Sequence, residues 1–277
     1  MSLSSVLYMQ KRTITIQYVM IAGVYGYGRF GKLWAQILSE RHEVLVADPI
    51  KSISKPVSEN AGYRMSPVND FVQCDLIFLC TPISETLPVI RSLAQYIEPG
   101  TIIADTCSVK QYPLENIVAC LDENIPVIGT HPLFGPDSYQ PNIPMRVITC
   151  SVRATAEQKQ RFHDFFSVFP FTLEEMEPEE HDKLMAYTQC LTHFVGRILG
   201  DLPLRGIDYA TKGYRALTEI VTQTGNDSEQ LFYDMHMYNP HAQSMREHFL
   251  DKTTSLVELI DSKMSDILEA RDGEIEK

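Results

Sequence analysis

The sequence predicts an α/β fold: a doubly wound parallel sheet over residues 1–175, followed by an all-α segment over residues 176–277. Three observations predict it. Short apolar runs alternate with amphipathic stretches from Tyr18 to Ser167. The first run passes straight into a glycine-rich turn, Gly26-Tyr27-Gly28-Arg29-Phe30-Gly31. After Phe171-Thr172-Leu173 the strand-like runs stop and only helical patterns follow. Strands that alternate with helices make a parallel sheet covered on both faces.

The elements follow in order. Met1 to Gln17 reads as a leader ahead of the first strand, without the apolar core and small-residue cleavage site of a signal peptide. Tyr18 to Val24 is a continuous apolar run, as expected of a buried parallel strand. Lys32 to Glu40 puts Leu33, Trp34, Ile37 and Leu38 on one helical face. Glu43 to Asp48 is a second strand that ends in an acid. Pro49, Pro56 and Pro67 argue against a long helix over 49–74. Strands at 75–80, 101–104, 125–128 and 145–150 then alternate with helices at 84–96, 112–121 and 154–167. Glu174-Glu175-Met176-Glu177-Pro178 reads as a loop and marks the boundary. Helices are expected over 179–199, 206–224, 227–237 and 239–270. The last carries an apolar stripe that includes Leu256, Leu259, Ile260 and Met264. A small helical domain with several apolar faces buries some of them against a second copy, so a homodimer through this domain is expected.

The charge balance excludes some functions. With 24 Lys+Arg against 36 Asp+Glu the net charge is -12, and there is no basic run, so no nucleic-acid role is expected. An anionic ligand needs local positive groups on such a chain. No apolar run reaches the roughly 20 residues that span a bilayer. The six cysteines are scattered without a C-x-x-C pair. They read as reduced thiols of a cytoplasmic protein, neither disulfides nor metal ligands.

The glycine turn has a specific context. It joins a strand to a helix, and Asp48 ends the next strand 20 residues after Gly28. That is the pattern of a Rossmann-type dinucleotide-binding domain. It places Gly26, Gly28, Arg29, Phe30 and Gly31 at a pyrophosphate, held by the helix N-terminus. Asp48 would accept hydrogen bonds from the ribose and repel a 2′-phosphate, which favours NAD over NADP. The competing reading is a glycine-rich turn with no ligand. Thr81 and Pro82 end a later strand on the same edge. That turn either abuts the dinucleotide or simply closes the strand.

Three further segments carry chemistry. Gly129-Thr130-His131-Pro132-Leu133-Phe134-Gly135-Pro136 is expected to hold a histidine in a stiff turn just past a strand. A histidine there can exchange a proton near neutral pH. Asp105-Thr106-Cys107-Ser108-Val109-Lys110 follows another strand. Ser108 can bond a substrate hydroxyl and the histidine turn, and Lys110 can face an anion. Helix capping is the plainer reading of the segment, since Asp105, Thr106 and Ser108 are all types that favour N-caps. Cys107 has no orienting partner nearby and reads as a packed small residue. In the segment from His181 to Phe194, Gln189 and His193 are four apart and share a helical face. His181 would lie within about 120° of His193 around the axis. A satisfied core histidine is the better reading for His181 than for His193.

Together these segments resemble the prephenate dehydrogenase family, which includes arogenate and cyclohexadienyl dehydrogenases of tyrosine synthesis. The matching residues are the glycine loop, Asp105-x-x-Ser108-Val109-Lys110, His131 to Ser138, and His181-Asp182 with Gln189-x-Leu191-x-His193-Phe194. The likeness runs from about Val19 to Glu247. It implies a Rossmann domain followed by a helical dimerisation domain. It implies NAD(P)-dependent oxidative decarboxylation of a cyclohexadiene, expected here to take prephenate to 4-hydroxyphenylpyruvate with the NAD that Asp48 favours. By resemblance, His131 takes the proton of the C4 hydroxyl, Ser108 orients that hydroxyl and His131, and His193 lines the substrate pocket; Gln189, Lys110 and Gln223 are the further substrate-site candidates.

One position departs from the family. Its members carry a carboxylate-binding arginine eight residues after a Tyr-Arg pair. Here Tyr214-Arg215 leads to Gln223, and no arginine lies between Arg215 and Arg246. Either Arg215, Lys212 or Arg246 supplies the charge, or the substrate is arogenate or a modified cyclohexadiene, or binding is weak. An NAD-binding protein without catalysis is a further reading. A β-hydroxyacid dehydrogenase is disfavoured, because residues 179–200 lack the Asn-x-x-x-Lys pair of those enzymes.

Overall fold

The computed structural model describes residues 19–49, 62–141, 143–204 and 209–275. The leader expected over 1–17 and Pro56 lie outside them. The strands are β1 (Ile21–Tyr25), β2 (Glu43–Ala47), β3 (Arg64–Met65), β4 (Leu76–Leu79), β5 (Ile102–Asp105), β6 (Val127–Pro132), β7 (Met145–Arg153) and β8 (Phe171–Glu175). They form one sheet in the order β3-β2-β1-β4-β5-β6-β7-β8. Every pairing is parallel except β6 with β7, which is antiparallel. The sheet is thus parallel-dominant, not parallel throughout.

Helices α1 (Arg29–Ser39), α2 (Thr86–Leu93), α3 (Gln111–Cys120) and α4 (Ala156–Phe166) connect the strands. Because both faces are covered, the central strands are apolar without interruption. Alternate residues still divide between the faces. In β4, Leu76 and Phe78 join the core beneath α1 and α4, while Ile77 and Leu79 join the core beneath α2 and α3. Trp34 anchors the first core. It is fully buried, stacks on Phe171 at 5.9 Å, and meets the edge of Phe78 at 5.6 Å. Replacing it by Ala would cost about 3–5 kcal/mol.

Several boundaries differ from the sequence reading, among them those of α1 and β8. Helix α1 begins at Arg29, three residues before Lys32, because Gly28 serves as its N-cap. Strand β8 continues through Glu174 and Glu175. The acids are accommodated because β8 is an edge strand. Glu174 pairs with Arg146, and Glu175 pairs with Lys159 at 2.6 Å.

Beyond β8 the described chain is helical: α5 (Pro178–Met185), α6 (Leu191–Asp201), α7 (Lys212–Gly225), α8 (Glu229–Tyr238) and α9 (Ala242–Ile275). A wide π-helical turn, Ala186–Cys190, joins α5 to α6. Helices α6 and α7 meet closely at Gly196, where a β-carbon would overlap the side chain of Thr224. A third apolar core docks the helices on the sheet. It joins Ile83, Cys107 and Val109 to Ala186, Cys190, Met235, Ala242 and Met245. Helix α9 leaves Leu256, Leu259, Ile260 and Met264 exposed.

Candidate active site

Strands β1, β4, β5 and β6 run parallel, so their carboxyl ends open on one edge of the sheet. The strand order reverses between β1 and β4, which makes that junction the place where such sheets bind ligands. The Gly26 turn and the Cys80-Thr81 turn meet there. Gly26 has a φ of 106°, and a β-carbon on it would overlap the Cys80 carbonyl. Any other residue would be strained and would push the two turns apart.

His131 lies within β6 rather than in a turn beyond it. Its register partner is Ile148 of the antiparallel β7, and Pro132 ends the strand where its missing N–H breaks nothing. The His131 side chain is buried. Its Nδ1 is 2.9 Å from His181 Nε2, and His181 Nδ1 is 2.8 Å from Asp182 Oδ1. The carboxylate can only accept, so His181 carries its proton on Nδ1 and offers the Nε2 lone pair. His131 must then carry its proton on Nδ1, which leaves its Nε2 as the basic nitrogen. Burial depresses the His131 pKa well below the ordinary histidine value, and His181 and Lys110 add to the effect. Burial also lowers that of His181. Both rings are neutral at pH 7.

Asp182 has a second task. Its two oxygens accept the backbone N–H groups of Lys110 at 2.7 Å and Gln111 at 3.0 Å, at the start of α3. A carboxylate there satisfies orphan donors and complements the helix dipole. His181 and Asp182 are both fully buried. The helical segment thus supplies both the cap of a sheet-flanking helix and the orientation of His131.

The β5–α3 segment corrects two expectations. Lys110 does not face a ligand. It is fully buried, paired with Asp105, and donates to the Thr130 carbonyl at 2.7 Å. That bond ties α3 to the residue before His131. Ser108 makes no hydrogen bond to the histidine segment among the described residues. The Ser108 hydroxyl is buried and has no hydrogen-bond partner among the described residues. It does not cap α3 either, since that role falls to Asp182. Cys107 is buried as expected, and burial raises its thiol pKa well above the usual value.

The π-helical turn changes the register of the helix that follows. It adds a residue to one turn, so an angle counted at 3.6 residues per turn fails across it. His181 points at His131, while His193 points at Asp227, 3.6 Å from its Nε2. The Oε1 of Gln189 and the Nδ1 of His193 are buried without hydrogen-bond partners among the described residues. Burial lowers the His193 pKa, opposed by Asp227 and assisted by Arg197. Asp227 also lies 3.8 Å from Arg29 Nη1, which connects His193 to the glycine loop.

Gln223 is exposed on α7, as are Arg215 and Lys212. Arg246 bonds His236 Nδ1 at 3.0 Å. Burial, then Arg246 and His193, push the His236 pKa down to about 4. Arg197 escaped the sequence reading. It lies four residues after His193, a spacing that places both on one helical face and was available as a signal.

The edge at β1 and β4 suits a dinucleotide. A β-carbon on Gly28 would meet nothing within 4 Å, and no side chain caps the N-terminus of α1 that it begins. Backbone can therefore approach a phosphate there. A β-carbon on Gly31 would overlap the Gly26 carbonyl, so the third glycine sets the packing of helix on strand. Asp48 accepts the Tyr27 N–H at 2.7 Å, which holds the carboxylate beside the loop. Thr81 adjoins Gly26 and carries a buried hydroxyl with no hydrogen-bond partner among the described residues, while Pro82 is exposed. Two side chains of this loop are engaged within the protein. Phe30 stacks on Trp34 at 5.7 Å and belongs to the core. Arg29 forms a two-point pair with Asp137 at 2.8 Å and donates to the Asn226 carbonyl at 2.7 Å. Only their backbone groups remain at the helix start.

These features define a Rossmann-type nucleotide-binding sheet with a helical segment docked on its ligand edge. The nucleotide-binding domain of prephenate dehydrogenase matches residues 38–145, and the TYRAAT1-like C-terminal domain matches residues 198–272. Arogenate dehydrogenase 1, chloroplastic, of Arabidopsis thaliana is 31% identical over 236 residues, 82% of this chain and 37% of that protein. A probable arogenate/prephenate dehydrogenase of Methanocaldococcus jannaschii is 26% identical over 92% of this chain and 58% of its own length. The chain thus spans less than two thirds of either relative. The prephenate dehydrogenase of A. aeolicus, solved with hydroxyphenyl propionate and NAD+, has the same fold. Its TM-score is 0.71 at 19% identity, over 94% of this chain and 96% of that one. This chain belongs to the prephenate dehydrogenase family.

Proposed function

We propose that the chain is an NAD-dependent dehydrogenase that oxidatively decarboxylates prephenate to 4-hydroxyphenylpyruvate. The hydrogen-bonded chain Asp182–His181–His131 carries this reading, because it leaves a neutral, oriented base at the ligand edge. His131 Nε2 takes the proton of the C4 hydroxyl, which raises electron density on the carbon that gives up hydride. The Ser108 hydroxyl positions the same oxygen. Bound NAD supplies the hydride acceptor, and loss of the ring carboxylate as carbon dioxide completes the aromatic ring. Gly26, Gly28, Gly31 and the backbone of Arg29 and Phe30 hold the pyrophosphate. Asp48 takes the ribose, and Thr81 and Pro82 flank it. Gln189 and His193 line the substrate side.

We assign nucleotide binding to residues 1–175, and substrate contacts and self-association through α9 to residues 176–277. The names of the Arabidopsis relatives favour a second substrate, arogenate, which differs from prephenate in carrying an amino group in place of the side-chain keto group. Reduction of NAD and NADP by the purified protein, with prephenate and arogenate offered separately, tests the reading. Turnover of one substrate with NAD preferred supports it. Nucleotide binding without turnover of either would leave a non-catalytic binding protein.

A further inference from the structure

The Nε and Nη2 atoms of Arg197 are buried and have no hydrogen-bond partner among the described residues. These two N–H groups lie on the same side of a guanidinium and form the fork that grips a carboxylate at two points. Leaving charged donors buried and unpaired is costly, so the arrangement suits an anion that arrives from outside the fold. The guanidinium is fixed in place, 5.2 Å over the ring of Phe232. His193, one turn earlier on α6, adds the buried and unpartnered Nδ1.

The position of Arg197 is also close in the fold to residue 223. Helices α6 and α7 touch at Gly196 and Thr224. Arg197 follows Gly196, and Gln223 precedes Thr224. Both residues therefore adjoin the same contact between α6 and α7. We propose that Arg197 binds the side-chain carboxylate of the substrate, the role that an arginine at 223 would otherwise fill. The retained carboxylate fits this role better than the departing one. A two-point ion pair would stabilise the leaving carboxylate in the ground state and slow its loss.

This assignment rests on the proposed cyclohexadiene chemistry for the name of the anion, but its test does not. Binding of 4-hydroxyphenylpropionate and of 4-ethylphenol, which lacks the carboxylate, is measured by calorimetry on the NAD-loaded protein and on Arg197→Gln and Arg197→Lys. The unmodified protein should prefer the carboxylate by at least about tenfold. Arg197→Gln should abolish the preference and Arg197→Lys should keep part of it, with NAD affinity unchanged in both. In the unmodified protein, the Arg197 Nε–H resonance should shift with the carboxylate and not with 4-ethylphenol, which needs no variant to fold. An absent preference, an equal preference in Arg197→Gln, or an unmoved resonance overturns the proposal. If the Arg197-dependent preference appears but neither cyclohexadiene is turned over, the proposed reaction fails and the carboxylate site stands. Turnover with an Arg197-independent preference overturns the carboxylate site and leaves the reaction standing.

Discussion

The imidazole of His131 hydrogen-bonds that of His181 at 2.9 Å across 50 residues of sequence. Their rings meet edge to face, 5.1 Å between centroids at 68°. One belongs to the sheet and the other to the first helix beyond it. The bond therefore orients the proposed base only when the helical segment is docked.

Replacing His131 by Asn should leave NAD binding intact and lower kcat at least about a hundredfold, the lower end of what general acid–base catalysis contributes. His181→Leu removes the acceptor that sets the tautomer and should lower kcat at least about tenfold, with little change in KM for NAD. Steady-state kinetics with both substrates checks the pair. Near-normal turnover in His131→Asn would remove this residue from the mechanism.

The pH profile follows from the depressed pKa of His131. The neutral form is the active one, and a lowered pKa keeps it neutral to more acidic pH. Activity should therefore hold through pH 6.5 and fall only below it, as His131 gains its proton. A kcat/KM profile with an acidic limb above pH 6.5 that disappears in His131→Asn would contradict the burial argument.

Lys110 and Asp105 form an ion pair with both side chains fully buried. Lys110→Met leaves the carboxylate unpaired and should cost about 3–5 kcal/mol of stability. The double variant Asp105→Asn, Lys110→Met should recover much of that loss. Chemical denaturation of the three proteins decides it. If Lys110→Met instead unfolds normally and only raises KM, the lysine faces substrate after all.

Gln223 is exposed on α7, while the Nε and Nη2 atoms of Arg197 on α6 are buried. Gln223→Arg should accordingly leave substrate KM within about twofold, below the tenfold that 1.4 kcal/mol would give. A tenfold fall in KM would place the carboxylate beside residue 223 and away from Arg197.

Helix α9 exposes Leu256, Ile260 and Met264 at helical spacing. If two copies bury this stripe against each other, the protein sediments as a dimer, and Ile260→Glu with Met264→Glu sediments as a monomer. An unchanged mass in the double variant would move the interface elsewhere.

Much of the fold was legible in local pattern. Strand β4 is four apolar residues because both its faces are covered, and α1 announces itself through Gly28 and the spacing of Trp34, Ile37 and Leu38. The glycine turn, Asp48 and His131 carry their meaning in spacing alone. Lys110 misled because a charged residue in a polar loop motif reads as a ligand contact. Its burial depends on Asp105 and on the Thr130 carbonyl from the neighbouring strand. The π-helical turn at Ala186–Cys190 left no readable signal, since one extra residue per turn changes no composition.

The order of strands and helices, the nucleotide turn and the family resemblance were written in short-range periodicity, because propensity and burial act over a few residues. The partner of each polar group was not. His131 finds His181, Asp182 caps a helix more than seventy residues before it, and Arg197 packs over Phe232. Hydrogen bonds and ion pairs join groups that only packing brings within about 3 Å of one another, and that distance exists nowhere but in the folded chain.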